Sequence, residues 1–105
     1  MNFGLPDITI NKMISVFSNH NEIDKVLIYG SRAKGNFRKG SDIDLTLVGK
    51  NLNAHLISEI NEELDELNTP YLIDLSIYDT LKFSELEEYI QRVGKVFYVK
   101  SSNSL

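Results

Sequence analysis

Two short apolar runs bracket a glycine-punctuated cationic segment, and this arrangement limits the folds open to the chain more than any other feature. Lys25-Val26-Leu27-Ile28-Tyr29 and Ile43 to Val48 are rich in β-branched and aromatic residues and read as strands. Between them, Gly30 to Ser41 carries Arg32, Lys34, Arg38 and Lys39 with no acid. Gly30 stops the first run, and a short helix over about Ser31 to Lys34 follows it. In the second run, Asp42 and Asp44 alternate with Ile43 and Leu45. Alternate strand residues share a face, so the two carboxylates point the same way with Cα atoms roughly 6.5–7 Å apart.

The flanking segments supply helices. After Pro6, Asp7 is placed to cap a first helix with Ile10, Met13, Ile14 and Phe17 inward, ending near His20. Leu52, Leu56, Ile60, Leu64 and Leu67 form the clearest helical stripe, closed by Asn68-Thr69-Pro70. Tyr71 to Tyr78 reads as a third strand holding one carboxylate, Asp74, between Ile73 and Leu75. Ser84 and Glu87 have capping-box spacing for a last helix with Leu86, Tyr89, Ile90 and Val93 inward, ending at Gly94. Val96 to Val99 is expected to add a short edge strand. The fold class expected is α/β (α+β): a small mixed β-sheet packed with helices.

At 105 residues the chain has the length of one domain, expected over residues 1–100, with 101–105 a flexible tail. With no cysteine, thiolate metal sites, disulfides and a cysteine nucleophile are excluded. Neither a membrane span nor a secretory signal is visible, so the cytoplasm is the expected location. The net charge of −4 hides an uneven distribution: Lys25 to Ser41 is cationic, whereas Glu59 to Glu88 contains ten acids against Lys82.

Chemistry concentrates where these features meet. Two like charges held together are unfavourable unless a cation lies between them, and oxygen ligands of this kind suit Mg²⁺. Asp74 completes the cluster if its strand lies beside that of Asp44, and three carboxylates can hold two metals roughly 3.5–4 Å apart for phosphoryl or nucleotidyl transfer. Gly30 lets a phosphate approach the backbone, Ser31 offers a hydroxyl and an amide, and Arg32 or Lys34 adds charge. The spacing is neither a Walker loop nor GxGxxG. His20, His55 and the tyrosines, Tyr29 among them, are read as surface or packing residues.

At these residues the chain resembles the DNA polymerase β-like nucleotidyltransferase superfamily, whose signature is Gly-Ser, an Asp-x-Asp pair and a later strand carboxylate. GSRAKGNFRKGSDIDL and the short length are similar to the minimal nucleotidyltransferases of prokaryotes, the MNT or MntA-like antitoxins, over roughly residues 8–99. The resemblance implies that Gly30, Ser31 and Arg32 bind the triphosphate of ATP. It implies that Asp42 and Asp44 bind two Mg²⁺ ions and that Asp74 binds the catalytic one and helps deprotonate the attacking hydroxyl. It further implies AMP transfer from ATP to a tyrosine of a HEPN-domain toxin encoded alongside, in a hetero-oligomer where the partner builds the other wall of the cleft. No membrane contact or direct nucleic-acid binding is expected. Two alternatives stay open: a non-catalytic nucleotide-binding antitoxin that masks its partner through the acidic helix Asn53 to Leu67, and nucleotidyl transfer to a small molecule.

Overall fold

Pro6, in extended conformation, gives its carbonyl to the Ile10 amide at 3.1 Å and so starts helix α1, Asp7–Ser18. The computed structural model describes residues 2–101, so the tail expected over 101–105 lies outside the described residues beyond Ser101. Asp7 is not the cap: it is the first helical residue, and no side chain caps this end. Its charge instead sits where the helix dipole favours an anion. The helix stops two residues earlier than expected, with Asn19 as C-cap. Met13, Val16 and Phe17 are buried, while Ile10 and Ile14 pack at the edge of the core.

The strands form where the apolar alternation placed them. They are β1 (Lys25–Tyr29), β2 (Ile43–Val48), β3 (Ile73–Ile77) and β4 (Lys95–Val99), in the spatial order β3-β2-β1-β4. β1 runs antiparallel to both β2 and β4, whereas β2 and β3 are parallel. Among the described residues four helices accompany them: α1, the single turn α2 (Ser31–Lys34), α3 (Ala54–Asp65) and α4 (Glu85–Val93). A 3₁₀ turn, Tyr78–Leu81, joins β3 to α4 and takes Tyr78 from the strand expected over Tyr71 to Tyr78, which also starts two residues later, at Ile73. This is the expected mixed α+β sheet covered by helices.

α3 and α4 connect parallel strands in opposite directions across the sheet, α3 from β2 to β3 and α4 from β3 back to β4. Crossovers of one hand then place the two helices on opposite faces, and burial agrees. Leu56, Ile60 and Leu64 of α3 join Met13 and Phe17 in one cluster with Val26, Ile28, Ile43, Leu45 and Leu47. Ile90 of α4 is buried outside that cluster. Each such aliphatic side chain stabilises the fold by about 1.5–3 kcal/mol relative to exposure.

Both later helices have real caps. Asn53 Oδ1 accepts from the Leu56 amide at 2.9 Å, and Ser84 Oγ accepts from the Glu87 amide at 3.1 Å. The reciprocal half of the expected capping box is displaced by one residue, because Glu87 Oε1 accepts from the Phe83 amide at 2.7 Å. Its other oxygen accepts from Tyr78 Oη at 2.8 Å. Leu86, expected inward, is exposed, since only Ile90 of this amphipathic helix reaches a buried position.

Candidate active site

The register assembles one row of side chains across three strands. Tyr29 pairs with Asp44 across the antiparallel ladder, and Asp44 pairs with Asp74 across the parallel one. Paired residues share a face, and neighbouring strands lie about 4.8 Å apart. One row further along the same face come Leu27, Thr46 and Ser76, with Ser76 Oγ donating to Thr46 Oγ1 at 2.9 Å. The apolar partners Ile43, Leu45, Leu47 and Ile73 turn the other way, toward α1 and α3. The alternation that buries the core therefore drives the carboxylates onto the opposite face.

Asp42 precedes β2 and is exposed, Asp44 is half-buried, and Asp74 is exposed. Burial, then the charge of Asp74, then that of Asp42 hold the Asp44 carboxyl above the ordinary carboxylate range. Tyr29 belongs to this cluster as well. Burial pushes its hydroxyl up, the nearby Ser76 hydroxyl opposes this, and the charges of Asp74 and Asp44 push it up further. Sequence alone treats Tyr29 as packing; the missing signal is the β1–β2 register, which sets it opposite Asp44.

Because β1 is antiparallel to β2, its C-terminal turn reaches the N-terminal end of β2. Gly30 sits there at φ 78°, ψ −158°, a region open essentially to glycine. A Cβ on Gly30 would collide with Asp44 Oδ2. The missing side chain is thus the space in which the Asp44 carboxylate stands. The first helical bond of α2 runs from the Lys34 amide to the Gly30 carbonyl at 3.1 Å, so the amides of residues 31–33 precede the ladder of that turn. Ser31 is half-buried at its start.

The Arg32 side chain is enclosed by the fold and is 1% exposed. Nε donates to the Ser41 carbonyl at 3.0 Å and Nη1 to the Phe3 carbonyl at 2.9 Å. The guanidinium lies 4.9 Å from the Tyr71 ring centroid and 5.2 Å from that of Phe37. The cationic block divides further: Lys25 is at the opposite end of β1, paired with Val48, and Lys34 Nζ lies 5.9 Å over the Tyr89 ring. Arg38 and Lys39 are exposed.

The chemistry of the carboxylate set fits divalent cations. Asp42 and Asp74 flank Asp44, the charges of both raise its carboxyl, and Gly30 leaves room beside it. Among the described residues, the trio whose ligand atoms already lie within 4.8 Å of one another is a different one, His20, Glu59 and Glu63. The three aspartates are not gathered as closely as that. His20, expected at the surface, is buried against α3 with Nε2 2.8 Å from Glu63 Oε1, while His55 is exposed as expected.

The sequence profile of the family described as Polymerase beta, Nucleotidyltransferase matches residues 11–103. The chain belongs to this nucleotidyltransferase family. A Methanocaldococcus jannaschii protein with the provisional name of protein adenylyltransferase is 36% identical over 72 residues, 69% of this chain and 53% of that protein. The chain thus spans about half the length of this curated relative. In solved structures, a chain of a toxin–antitoxin complex with AMP-PNP superposes with a TM-score of 0.66 at 19% identity, covering 93% of this chain and 76% of the other. A chain from the complex of the tri-AMPylated Shewanella oneidensis HEPN toxin with MNT antitoxin gives 0.60 at 18% identity, covering 90% and 72%. A Sulfolobus solfataricus structure gives 0.51 at 20% identity over 97% and 96%. These likenesses show a shared nucleotidyltransferase fold, as the Gly-Ser and Asp-x-Asp pattern implied. Among the described residues no helix is long and apolar enough to cross a membrane.

Proposed function

We propose that this chain is a single nucleotidyltransferase domain that moves AMP from ATP to a hydroxyl, and that the acceptor is a tyrosine of a HEPN-domain partner. The observation that carries this reading is the row Asp44–Asp74, with Asp42 alongside, set directly against the Gly30-Ser31 turn. Support for the donor and partner comes from the family match and from neighbours whose complexes contain AMP-PNP or an AMPylated HEPN toxin.

In this reading Gly30 and Ser31 receive the triphosphate through backbone amides and a hydroxyl. Asp42 and Asp44 would hold two Mg²⁺ ions, with Asp74 as a further ligand for one of them. When bound, the ions supply charge neutralisation and orientation for in-line displacement. Asp74, on the exposed edge strand, takes the proton of the acceptor hydroxyl, which then attacks the α-phosphorus. Pyrophosphate leaves. The test is to incubate the protein with ATP, Mg²⁺ and the neighbouring HEPN protein and weigh the partner. A gain of one or more AMP units supports the reading, and an unmodified partner in a demonstrated complex sinks it.

A second reading is favoured by one feature: exposed Glu59, Glu62, Asp65 and Glu66 on α3, on the sheet face opposite the aspartates. A basic partner masked there would leave the catalytic face free. Asp44→Asn separates the two, because masking survives it and needs equimolar protein, whereas catalysis neutralises at substoichiometric amounts and is lost.

A further inference from the structure

Arg32 is the largest of the fully buried side chains, and it carries a charge. Burying a guanidinium is costly unless its donors are satisfied. Here two backbone carbonyls and two aromatic faces do this: Ser41 at 3.0 Å, Phe3 at 2.9 Å, and the rings of Tyr71 and Phe37. These four partners lie in three separate parts of the chain. Ser41 immediately precedes Asp42, Tyr71 lies three residues before Asp74, and Phe3 and Phe37 flank the same pocket, where a side chain on Gly4 would collide with Phe37. Arg32 itself is the second residue of α2, one step beyond Ser31.

We infer that Arg32 is a positioning residue rather than a phosphate ligand: it fixes the backbone entering β2 and the segment entering β3 to the Gly30-Ser31 turn, and so sets where Asp42 and Asp74 stand. This rests on the metal-binding reading of the aspartates. The carbonyl of Ser41 is the point of control. The turn before it is already closed by Ser41 N donating to the Arg38 carbonyl at 3.0 Å and Ser41 Oγ accepting from the Arg38 amide at 2.8 Å. Within that closed turn, Arg32 Nε fixes the remaining polar group of the residue ahead of Asp42. A lysine keeps the charge, but it offers one nitrogen where two separated carbonyls must be reached, and it lacks the planar, delocalised group that the two rings receive.

The first test uses the unaltered protein. Phenylglyoxal modification followed by mass spectrometry should mark exposed Arg38 and Arg92 well before Arg32, with ATP leaving Arg32 unchanged; rapid labelling of Arg32 that ATP suppresses overturns the inference. The second uses Arg32→Lys. Mn²⁺ affinity by electron paramagnetic resonance, without nucleotide, should fall on the order of 10-fold, as for loss of a group that orients metal ligands. Amide exchange at Asp42 and Ile43 should quicken. In AMP transfer, kcat should fall and recover partly at excess metal, with KM for ATP little changed. Parent-like Mn²⁺ affinity and exchange, or a change in KM for ATP alone, overturns it. If Arg32→Lys does not fold, Tyr71→Leu removes one ring face, keeps both hydrogen bonds and should shift Mn²⁺ affinity the same way; parent-like affinity then counts against the clamp. Should parent Mn²⁺ binding be indifferent to Asp44→Asn, the metal reading of the site fails, while Arg32 reactivity and Asp42 exchange still decide on the clamp.

Discussion

Gly30→Ala should damage this protein in two separable ways. The first is conformational. At φ 78°, ψ −158°, Gly30 occupies backbone space that a residue with a Cβ rarely enters, and forcing one there costs about 1–3 kcal/mol. For a domain of this size, each kcal/mol lowers Tm by about 4–8 °C. The second is local: the new methyl group and Asp44 Oδ2 cannot both keep their places. Either the carboxylate swings off the row it shares with Asp74 or the turn carrying Ser31 moves, and a displacement of about 1 Å at a reacting centre can cost on the order of 100-fold in rate. Gly35→Ala is the matched control. Gly35 is left-handed at φ 90°, ψ 1°, and a Cβ there meets nothing within 4 Å, so alanine costs about 1–2 kcal/mol of strain without a collision. Thermal melts and AMP-transfer assays on both variants should show comparable losses of stability, with transfer lost only in Gly30→Ala. Equal activity in the two would refute the claim that Gly30 exists to make room for Asp44.

The remaining predictions probe charge, a packed histidine–glutamate contact and a strained turn. Because the Asp44 carboxyl is raised in the fold, the folded chain holds this proton more tightly than the unfolded one. The metal-free protein therefore loses stability as pH rises from near the ordinary value of 3.8 through the raised one. Asp44→Asn should consequently exceed the parent in urea denaturation at pH 7 with EDTA and lose that advantage near pH 3; a variant weaker at pH 7 contradicts the electrostatic reading. His20→Leu removes the 2.8 Å contact with Glu63 and should cost about 1–3 kcal/mol of stability while leaving AMP transfer intact, so lost transfer in a stable variant would reassign that cluster. Phe83 is 99% exposed at φ 67°. Phe83→Asn should raise stability by about 1 kcal/mol, since asparagine tolerates the left-handed region; no rise in the melting temperature would show that the turn stores no such strain.

Much of this architecture was legible because one physical rule served two purposes. In β2 the two-residue alternation that buries Ile43, Leu45 and Leu47 also commits Asp44 to the other face, so the strand and the candidate site could be read from the same pattern. Asp74 was legible for the same reason, as a charge in an apolar run. What stayed hidden depends on pairing between distant segments. The opposition of Tyr29 to Asp44 needs the β1–β2 register, and burial of His20 needs α1 beside α3. Arg32 shows the sharpest difference: a cation next to Gly-Ser suggests an anion, yet only the fold reveals two carbonyls and two rings around it. Capping depends on backbone detail that residue types alone do not carry, as with Asp7 and the partner of Glu87.

The cationic segment now has a different meaning. Five positive charges before the aspartates suggest a strong field for a triphosphate, but Lys25 lies at the far end of β1, Arg32 is enclosed, and Lys34 lies over Tyr89. Arg38 and Lys39, in the turn that leads into Asp42, are exposed and, unlike exposed Lys34, stand over no aromatic ring among the described residues. A search for side-chain phosphate contacts starts with these two, because an exposed cation can reach an anion without breaking existing bonds. The backbone amides of α2 and bound metal carry the rest of the proposed recognition. Such a site is polar, open and built from an edge strand, which suits an acceptor presented on the surface of another protein better than a small molecule that needs enclosure. The same openness makes the aspartate row depend on its support, and that support converges on Arg32.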